Sequence, residues 1–260
     1  ACSRRSGNAV APDRHALRVR LQAARRVCVL TGAGMSAESG IATFRDALTG
    51  LWSRFDPAQL ASEQGFRADP RTVWAWYAER RDAMRAAQPN AGHHALADFA
   101  RRRPGVLTVV TQNVDDLHQR AGNTEAIRLH GDILADRWFD RCARLPACAT
   151  HEAEPGRPPR CARCGNLVRP GVVWFGEMLP PGGLEAAERA AAASEVMLVV
   201  GTSGAVWPAA GLASTARQVG AWVVIVNPHP SEIDAQAHEV VRGTAAIELP
   251  CLLSMGADSS

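Results

Sequence analysis

Residues 27–37, VCVLTGAGMSA, decide the fold of this 260-residue chain. A short apolar run ends at two closely spaced glycines, which predicts a buried parallel strand that enters a glycine-rich turn. The pattern Gly32-x-Gly34-x-x-Ala37 fits the dinucleotide-binding fingerprint in its alanine-ended form. Gly32 would permit the tight turn, and Gly34 would let the backbone approach a pyrophosphate closely. Taken alone, the pattern fits an ordinary strand-to-helix turn equally well.

Further apolar runs of strand length alternate with helical segments along the chain. The runs lie at 106–110, 196–200 and 222–226, and the helical segments at 72–87, 91–103, 184–193 and 209–219. This alternation predicts an α/β fold with a doubly wound, Rossmann-like parallel sheet covered on both faces. Ligands of such sheets bind beyond the carboxyl ends of the strands. We therefore expect the polar residues that follow these strands to line one pocket with the glycine turn.

The pattern breaks between 136 and 170, where prolines and cysteines replace apolar periodicity. This segment has too few apolar residues to fold unaided, so we predict a small inserted zinc-binding module. The predicted organisation is a tail and helix at 1–26, a Rossmann-like dinucleotide-binding domain at 27–135 and 171–250, the module at 136–170, and a tail at 251–260.

Composition excludes several classes of partner. All 29 lysine-plus-arginine positions are arginine, and with 26 acidic residues the net charge is only +3. That charge does not indicate a nucleic-acid partner, and no apolar run reaches the roughly 18 residues of a membrane span. The arginine-rich residues 1–26 resemble a mitochondrial transit peptide, but Pro12 and Asp13 interrupt them. A cytoplasmic location is the expectation, with the mitochondrion as the alternative.

Four of the seven cysteines lie between positions 142 and 164, which indicates a metal site rather than a disulfide framework. Cys161-x-x-Cys164, followed by a glycine, has the form of a zinc knuckle. Cys142 and Cys148 would complete a four-thiolate site. Such a site has no open position and is therefore structural.

Several motifs, in chain order from about residue 27 to 250, resemble the signatures of the sirtuins, NAD-dependent protein deacylases. They are GAGMSAESGI at 32–41 with TFR at 43–45, TQNVDDLH at 111–118 with RAG at 120–122, LHG at 129–131, VVWFGE at 172–177, and GTS at 201–203. Several motifs in register are far more specific than any one of them. The resemblance implies NAD as a consumed co-substrate and one structural zinc ion. Five residues separate Cys142 from Cys148, where the family usually has two.

The resemblance also implies catalytic roles. In the family, the acyl-lysine oxygen attacks the nicotinamide ribose, and the products are nicotinamide, free lysine and 2'-O-acyl-ADP-ribose. His130 would be the base that takes a proton from a ribose hydroxyl, a task suited to imidazole. Asn113 and Asp115 would contact nicotinamide and ribose, although Asp115 alone also fits a helix N-cap. The other residues assigned to NAD are Gly32, Ala33, Gly34, Ser36, Ala37, Phe44, Arg45, Trp52, Gln112, Gly201, Thr202, Ser203, Asn227 and Ala245.

The substrate residues fall into two groups. Tyr77 and Arg80 are three apart on a predicted helix, so a phenol and a guanidinium share one face and form an anion receptor. Read without the resemblance, they are a packed ring and a solvated charge. In the sirtuins this Tyr-x-x-Arg marks class III, whose pocket accepts malonyl and succinyl lysine. Val172, Trp174 and Phe175 would form an edge for a substrate peptide strand, or a buried core strand, or both.

The predicted function is removal of succinyl, malonyl and acetyl groups from lysines of partner proteins by a monomeric enzyme. Mono-ADP-ribosyl transfer to protein from the same pocket is the alternative. A non-catalytic zinc-ribbon module would lack the base or the Asn/Asp pair, and all three are present. A conventional dehydrogenase would need a ribose-binding acid after a second strand, which the sequence does not convincingly offer.

Overall fold

A six-stranded parallel sheet organises the computed structural model, which describes residues 13–42, 53, 55–142 and 147–254. The strands are β1 (Val27–Thr31), β2 (Leu107–Thr111), β3 (Ile127–Arg128), β4 (Gly131–Trp138), β5 (Ala153–Glu154), β6 (Arg160–Cys161), β7 (Val168–Val172), β8 (Val196–Val200), β9 (Trp222–Val226) and β10 (Glu239–Val241). The α-helices are α1 (Arg14–Ala23), α2 (Pro57–Leu60), α3 (Glu63–Ala68), α4 (Pro70–Ala86), α5 (Ala91–Arg102), α6 (Leu117–Ala121), α7 (Gly183–Ala193), α8 (Gly211–Gln218) and α9 (Ala245–Leu253).

The strand order is β10-β9-β8-β1-β2-β3, with every neighbouring pair parallel. From β1 the sheet extends to one side through β2 and β3 and to the other side through β8, β9 and β10. This is the doubly wound order, and the reversal falls between β1 and β8. The prediction of a doubly wound α/β fold is confirmed.

β1 shows why the sheet is covered on both faces. Successive side chains of a strand point to opposite faces. Val27 and Val29 pack into the core layer formed with α1, α5 and α9, whereas Cys28 and Leu30 pack into the layer formed with α7 and α8. All five β1 residues are buried, as expected for a continuous apolar run at the centre of a parallel sheet.

A third apolar cluster lies between α2–α4 and the antiparallel pair of β4 with β7. Phe66, Trp76 and Trp174 are its largest members. The short β5–β6 pair lies in the cysteine-rich segment between β4 and β7. The predicted limits of the inserted module, 136 and 170, fall inside β4 and β7. None of the described helices combines the length and apolar character needed to traverse a lipid bilayer.

The predicted strands and helices are present, with ends shifted by at most two residues and with the strands at 196–200 and 222–226 unchanged. β2 begins at Leu107 rather than at position 106, and α8 is shorter than predicted at both ends. The sequence analysis did not find the short helices α2, α3 and α6, nor β3, β10 or α9. β3 has two residues and β10 three, too few to show a periodicity, and Pro250 interrupts the helical pattern of α9.

Candidate functional site

The turn after β1 touches the turn after β8 at the point where the strand order reverses. The Gly34 amide N–H donates to the Gly201 carbonyl at 2.8 Å, and the Gly32 N–H donates to the Val200 carbonyl at 2.9 Å. Gly201 has a φ of +61°, and a Cβ there would lie 2.4 Å from the Met35 nitrogen. The two turns therefore meet backbone to backbone. Glycines at 32, 34 and 201 keep side chains out of this contact, which fits the close approach of a dinucleotide pyrophosphate at the reversal point.

Three predicted cofactor residues form one buried hydrogen-bonded cluster beside this turn. The Ser36 hydroxyl donates to Asp115 Oδ2 at 2.9 Å, and Asn113 Nδ2 donates to Ser36 Oγ at 3.1 Å. Burial raises the pKa of the Asp115 carboxyl above its usual value, against hydrogen bonds from the Leu117 N–H and from Ser36. The cluster joins the turn after β1 to the loop after β2, so the structure brings the two motifs together.

Arg128 holds the loop that carries Asp115. Its Nη2 donates to the carbonyls of Val114 and Asp115 at 3.0 and 2.9 Å, and its Nη1 pairs with Asp132 Oδ2 at 2.8 Å. Arg128 and Asp132 lie on either side of His130 in sequence. The loop of Asp115 and the segment of the predicted base are therefore tied by one guanidinium. The sequence analysis missed this role, because an arginine among 29 carries no local signal.

His130 lies between β3 and β4, with its ring held by the backbone. Nδ1 lies 2.9 Å from the Gln112 carbonyl, which can only accept, so Nδ1 carries a proton and Nε2 of the neutral ring has the lone pair. Burial lowers the pKa of His130, against the hydrogen bond to Gln112. The neutral ring is thus favoured at neutral pH with Nε2 ready to accept a proton. Gln112 itself donates from Nε2 to Thr202 Oγ1 at 3.1 Å.

A second group of buried, hydrogen-bonded side chains contacts the backbone of Asn113. Its members are Thr31, Thr111 and His118. The Thr31 hydroxyl donates to Thr111 Oγ1 at 2.9 Å and lies 3.0 Å from His118 Nε2, and the Asn113 N–H donates to Thr111 Oγ1 at 3.0 Å. Because Thr31 donates to Thr111, His118 Nε2 donates to Thr31. Burial lowers the pKa of His118 to about 4 and that of the adjacent His93 to about 3. The sequence signal was present but overlooked: hydroxyl residues end two neighbouring strands.

The predicted acyl-specificity residues, Tyr77 and Arg80, lie next to this cluster. Tyr77 is 4% exposed, its hydroxyl accepts a hydrogen bond from Trp174 Nε1 at 2.9 Å, and burial raises the pKa of the phenol to about 12. Arg80 is half-buried over the ring of Trp76, 4.8 Å from its centroid. Burial lowers the pKa of Arg80, against the nearby Tyr77 and Asp115. The structure thus brings Tyr77, Arg80 and Asp115 into one neighbourhood.

Within the described ranges, no residue accepts a hydrogen bond from the Arg80 guanidinium or forms an ion pair with it. The contrast with other arginines on α4 is clear. Arg81 donates to the Ile133 and Ala135 carbonyls and pairs with Asp136, and Arg85 pairs with Asp82.

The predicted peptide edge has mixed burial. Val172 and Trp174 are buried in the third cluster, and Phe175 is 57% exposed. The amide N–H groups of Val173, Trp174 and Phe175 donate to the His130 carbonyl, Glu177 Oε2 and the Ala61 carbonyl. These three N–H groups are therefore not available to an added peptide strand.

The cysteine cluster fits a zinc ion. The Sγ atoms of Cys142, Cys148 and Cys164 lie within 4.8 Å of one another, and Cys161 is not a member of this group. Tetrahedral coordination with Zn–S bonds of about 2.3 Å separates sulfurs by about 3.8 Å. The three grouped thiols are compatible with a structural zinc ion, and Cys161 as the fourth ligand stays a prediction. Cys148, whose spacing departs from the family pattern, lies within the cluster.

The remaining predicted cofactor residues are less constrained by contacts. Ala33, Ala37 and Ser203 are exposed, Asn227 Nδ2 donates to the Thr202 carbonyl at 3.2 Å, and Ala245 is buried at the start of α9. Phe44, Arg45 and Trp52 lie outside the described residues.

The strand order, the glycine turn and the buried Ser/Asn/Asp cluster define an NAD-binding enzyme with an attached thiol-rich module. The model of the Sir2 family matches residues 32–208, and the chain belongs to that family. The predicted membership of the sirtuins and the predicted use of NAD are confirmed.

The chain is similar over nearly its whole length to curated proteins and to solved structures. An NAD-dependent protein deacylase of Ralstonia nicotianae is 54% identical over 234 residues, covering 90% of this chain and 93% of the relative. A Sir2 homologue whose crystal structure contains NAD is 40% identical to this chain, with a TM-score of 0.83. The match covers 94% of this chain and 93% of the homologue. Sir2Tm, in its structure bound to a propionylated peptide, is 30% identical to this chain, with a TM-score of 0.77. The match covers 90% of this chain and 94% of Sir2Tm.

Proposed function

We propose that this Sir2-family enzyme, an NAD-dependent protein deacylase, removes succinyl and malonyl groups from lysine side chains and acts on acetyl-lysine as well. One observation carries the acyl specificity: the half-buried guanidinium of Arg80 has no accepting partner among the described residues, and it lies beside the buried hydroxyl of Tyr77. A charge withdrawn from water favours a counter-charge. The terminal carboxylate of a succinyl or malonyl group supplies one.

The chemistry of the receptor matches a carboxylate. Arginine can donate two parallel hydrogen bonds to the two carboxylate oxygens, and such charge-assisted bonds are shorter and stronger than neutral ones. The phenol of Tyr77 adds a third donor, because its raised pKa of about 12 keeps it protonated at neutral pH. An acetyl group lacks the carboxylate and leaves the receptor empty without blocking the pocket.

The catalytic residues would have two roles. Some would orient the bound NAD, and one would accept a proton from it. NAD, when bound, supplies an electrophilic ribose carbon and nicotinamide as the leaving group. Asn113 and Asp115, fixed through Ser36, would orient nicotinamide and ribose. His130 Nε2 would take the proton of a ribose hydroxyl, because Nδ1 is already committed to the Gln112 carbonyl. The four cysteines would hold zinc away from this chemistry.

The test compares matched acetyl-lysine and succinyl-lysine peptides with NAD, following nicotinamide release and the mass of the products. We expect Arg80→Met to lower the ratio of desuccinylation to deacetylation more than tenfold, since a hydrogen bond to a charged group is worth about 1.5–3 kcal/mol. Arg85→Met, at an exposed arginine on the same helix, is the matched control and should leave the ratio unchanged.

Two results would contradict the proposal. The first is an equal loss on both peptides in Arg80→Met, which would indicate a structural role for the arginine. The second is a wild-type enzyme that does not act on the succinyl peptide. A product mass that shows ADP-ribose attached to the peptide would instead favour the ADP-ribosyltransferase alternative.

A further inference from the structure

The hydroxyl of Tyr77 has one hydrogen-bonding partner in the described parts of the chain, and that partner comes from the segment after β7. Trp174 Nε1 lies 2.9 Å from the phenol oxygen, and both side chains are buried, with exposures of 2% and 4%. An indole N–H can only donate, so the phenol oxygen accepts. The phenol hydrogen must then be donated elsewhere, and no described residue is hydrogen-bonded to accept it. Among the described residues the buried phenol thus retains an unused donor.

Trp174 is itself held from two sides. The Cζ atom of Arg169 lies 3.2 Å from the centroid of the indole ring, and Arg169 is 1% exposed. Glu177 accepts hydrogen bonds from Arg169 Nη1 at 2.5 Å and from the Trp174 N–H at 2.8 Å. The ring and backbone of Trp174 are therefore fixed by the same ion pair. A residue fixed in this way can impose an orientation on its own partner.

We infer that Trp174 is a positioning residue for acyl specificity: by donating to the Tyr77 oxygen, it directs the phenol hydrogen toward the carboxylate that Arg80 binds. This inference rests on the proposed function, and it adds a third member to the acyl receptor. Without the indole N–H, the phenol hydrogen could rotate away from the carboxylate, and part of the buried oxygen's hydrogen-bonding capacity would be unmet. Trp174 would contribute through Tyr77 and not through contact with the acyl group.

A double-mutant cycle tests this relation directly. We expect Trp174→Phe and Tyr77→Phe each to lower the ratio of desuccinylation to deacetylation by about tenfold, mainly through the KM of the succinyl peptide. The double variant should be no worse than either single variant, because the indole N–H acts only through the phenol. Trp222→Phe removes another hydrogen-bonded indole N–H, donated to Glu239 on a distant strand, and should leave the ratio unchanged.

A spectroscopic readout separates positioning from a structural role. Tyr77 is the one tyrosine of the 260-residue chain, so tyrosine labelled with ¹³C at Cζ gives a single NMR signal. We expect this signal to shift in Trp174→Phe at neutral pH and in the absence of peptide. In the wild type, the succinyl peptide should shift it and the acetyl peptide should not, and Trp174→Phe should reduce the shift caused by the succinyl peptide.

The outcomes distinguish this inference from the proposed function. Losses that multiply in the double variant, or a tyrosine signal that does not change in Trp174→Phe, would overturn the inference while the effect of Arg80→Met still supports the acyl specificity. A wild-type enzyme inactive on the succinyl peptide would overturn both. Thermal unfolding of each variant shows whether it is folded, and the NMR signal still tests the hydrogen bond in a variant that has lost activity.

Discussion

At the cofactor edge of the sheet three predicted cofactor-binding side chains hydrogen-bond to one another, whereas in the proposed acyl pocket two donor groups have no acceptor among the described residues. Ser36, Asn113 and Asp115 are joined by direct hydrogen bonds, and Arg128 closes the loop that carries Asp115. In the pocket beside them, Arg80 has no accepting partner among the described residues, and the Tyr77 phenol keeps a free donor. The cluster of Ser36, Asn113 and Asp115 is formed before a ligand arrives, although the nearby Arg128 Nε and His118 Nδ1 have no hydrogen-bond partner among the described residues. We propose that the acyl pocket, in contrast, is completed by the ligand.

The difference separates what all substrates share from what distinguishes them. A preorganised site costs little reorganisation when NAD binds and serves every acyl group alike. An unpaired cation in a partly buried pocket favours the acyl group that brings a carboxylate. Changes at the cofactor edge should therefore affect all substrates equally, and changes in the acyl pocket should affect one class.

The largest expected effect is on the shared chemistry. We expect His130→Ala to lower the rates of deacetylation and desuccinylation by the same factor, about 10²–10⁴, because the proton acceptor is lost for every acyl group. Steady-state kinetics with both peptides measures this. A loss confined to the succinyl peptide would show that His130 belongs to the acyl receptor and would break the comparison.

The buried histidines next to the cofactor cluster should make the free energy of unfolding depend on pH. Buried His118 and His93 have pKa values of about 4 and about 3, whereas unfolded histidine titrates near 6.5. Below about pH 6.5 the unfolded chain binds protons that the folded chain does not, so the free energy of unfolding falls as the pH decreases toward 4. Each histidine contributes a slope of up to about 1.4 kcal/mol per pH unit.

Urea unfolding between pH 7 and pH 4.5 checks this expectation. His118→Gln keeps a donor for Thr31 but does not titrate, and it should flatten the slope by the share of one histidine. His15→Gln changes an exposed histidine on α1 and is the matched control. An unchanged slope in His118→Gln would mean that this imidazole takes up a proton in the folded protein.

The smallest expected effect sharpens the description of the acyl pocket. Lysine keeps the positive charge at position 80 but cannot donate two parallel hydrogen bonds. We expect Arg80→Lys to lower desuccinylation by about tenfold relative to deacetylation, a smaller loss than that of Arg80→Met. Kinetics with the same peptide pair gives the ratio. A lysine variant as impaired as the methionine variant would mean that geometry, and not charge, completes the pocket.

Much of this comparison could be predicted from sequence, because its main residues lie in contiguous motifs. The glycine turn, the polar residues after β2 and the Tyr-x-x-Arg spacing are local patterns, and the structure brings them together. The Trp174–Tyr77 hydrogen bond joins residues 97 positions apart. No local pattern encodes such a contact, since it depends on how α4 packs against the segment after β7.

Other parts of the site escaped prediction for the same reason. Arg128 is one arginine among 29, and only the folded chain places it against two carbonyls of the Asp115 loop. His118 lies in a recognised motif, but its burial beneath Asn113 follows from the pairing of β1 with β2. For Cys148, the unusual spacing was visible in sequence, and the position of its sulfur in the cluster required the fold.

The contact between the two glycine turns has a genetic consequence. A Cβ at Gly201 would lie within 3 Å of the Met35 nitrogen and of two backbone atoms of Gly34. Every one of these neighbours belongs to the main chain, so no nearby side chain can be shortened to make room. A selection for revertants of Gly201→Ala should therefore recover glycine at that codon and no compensating substitution among its contacts.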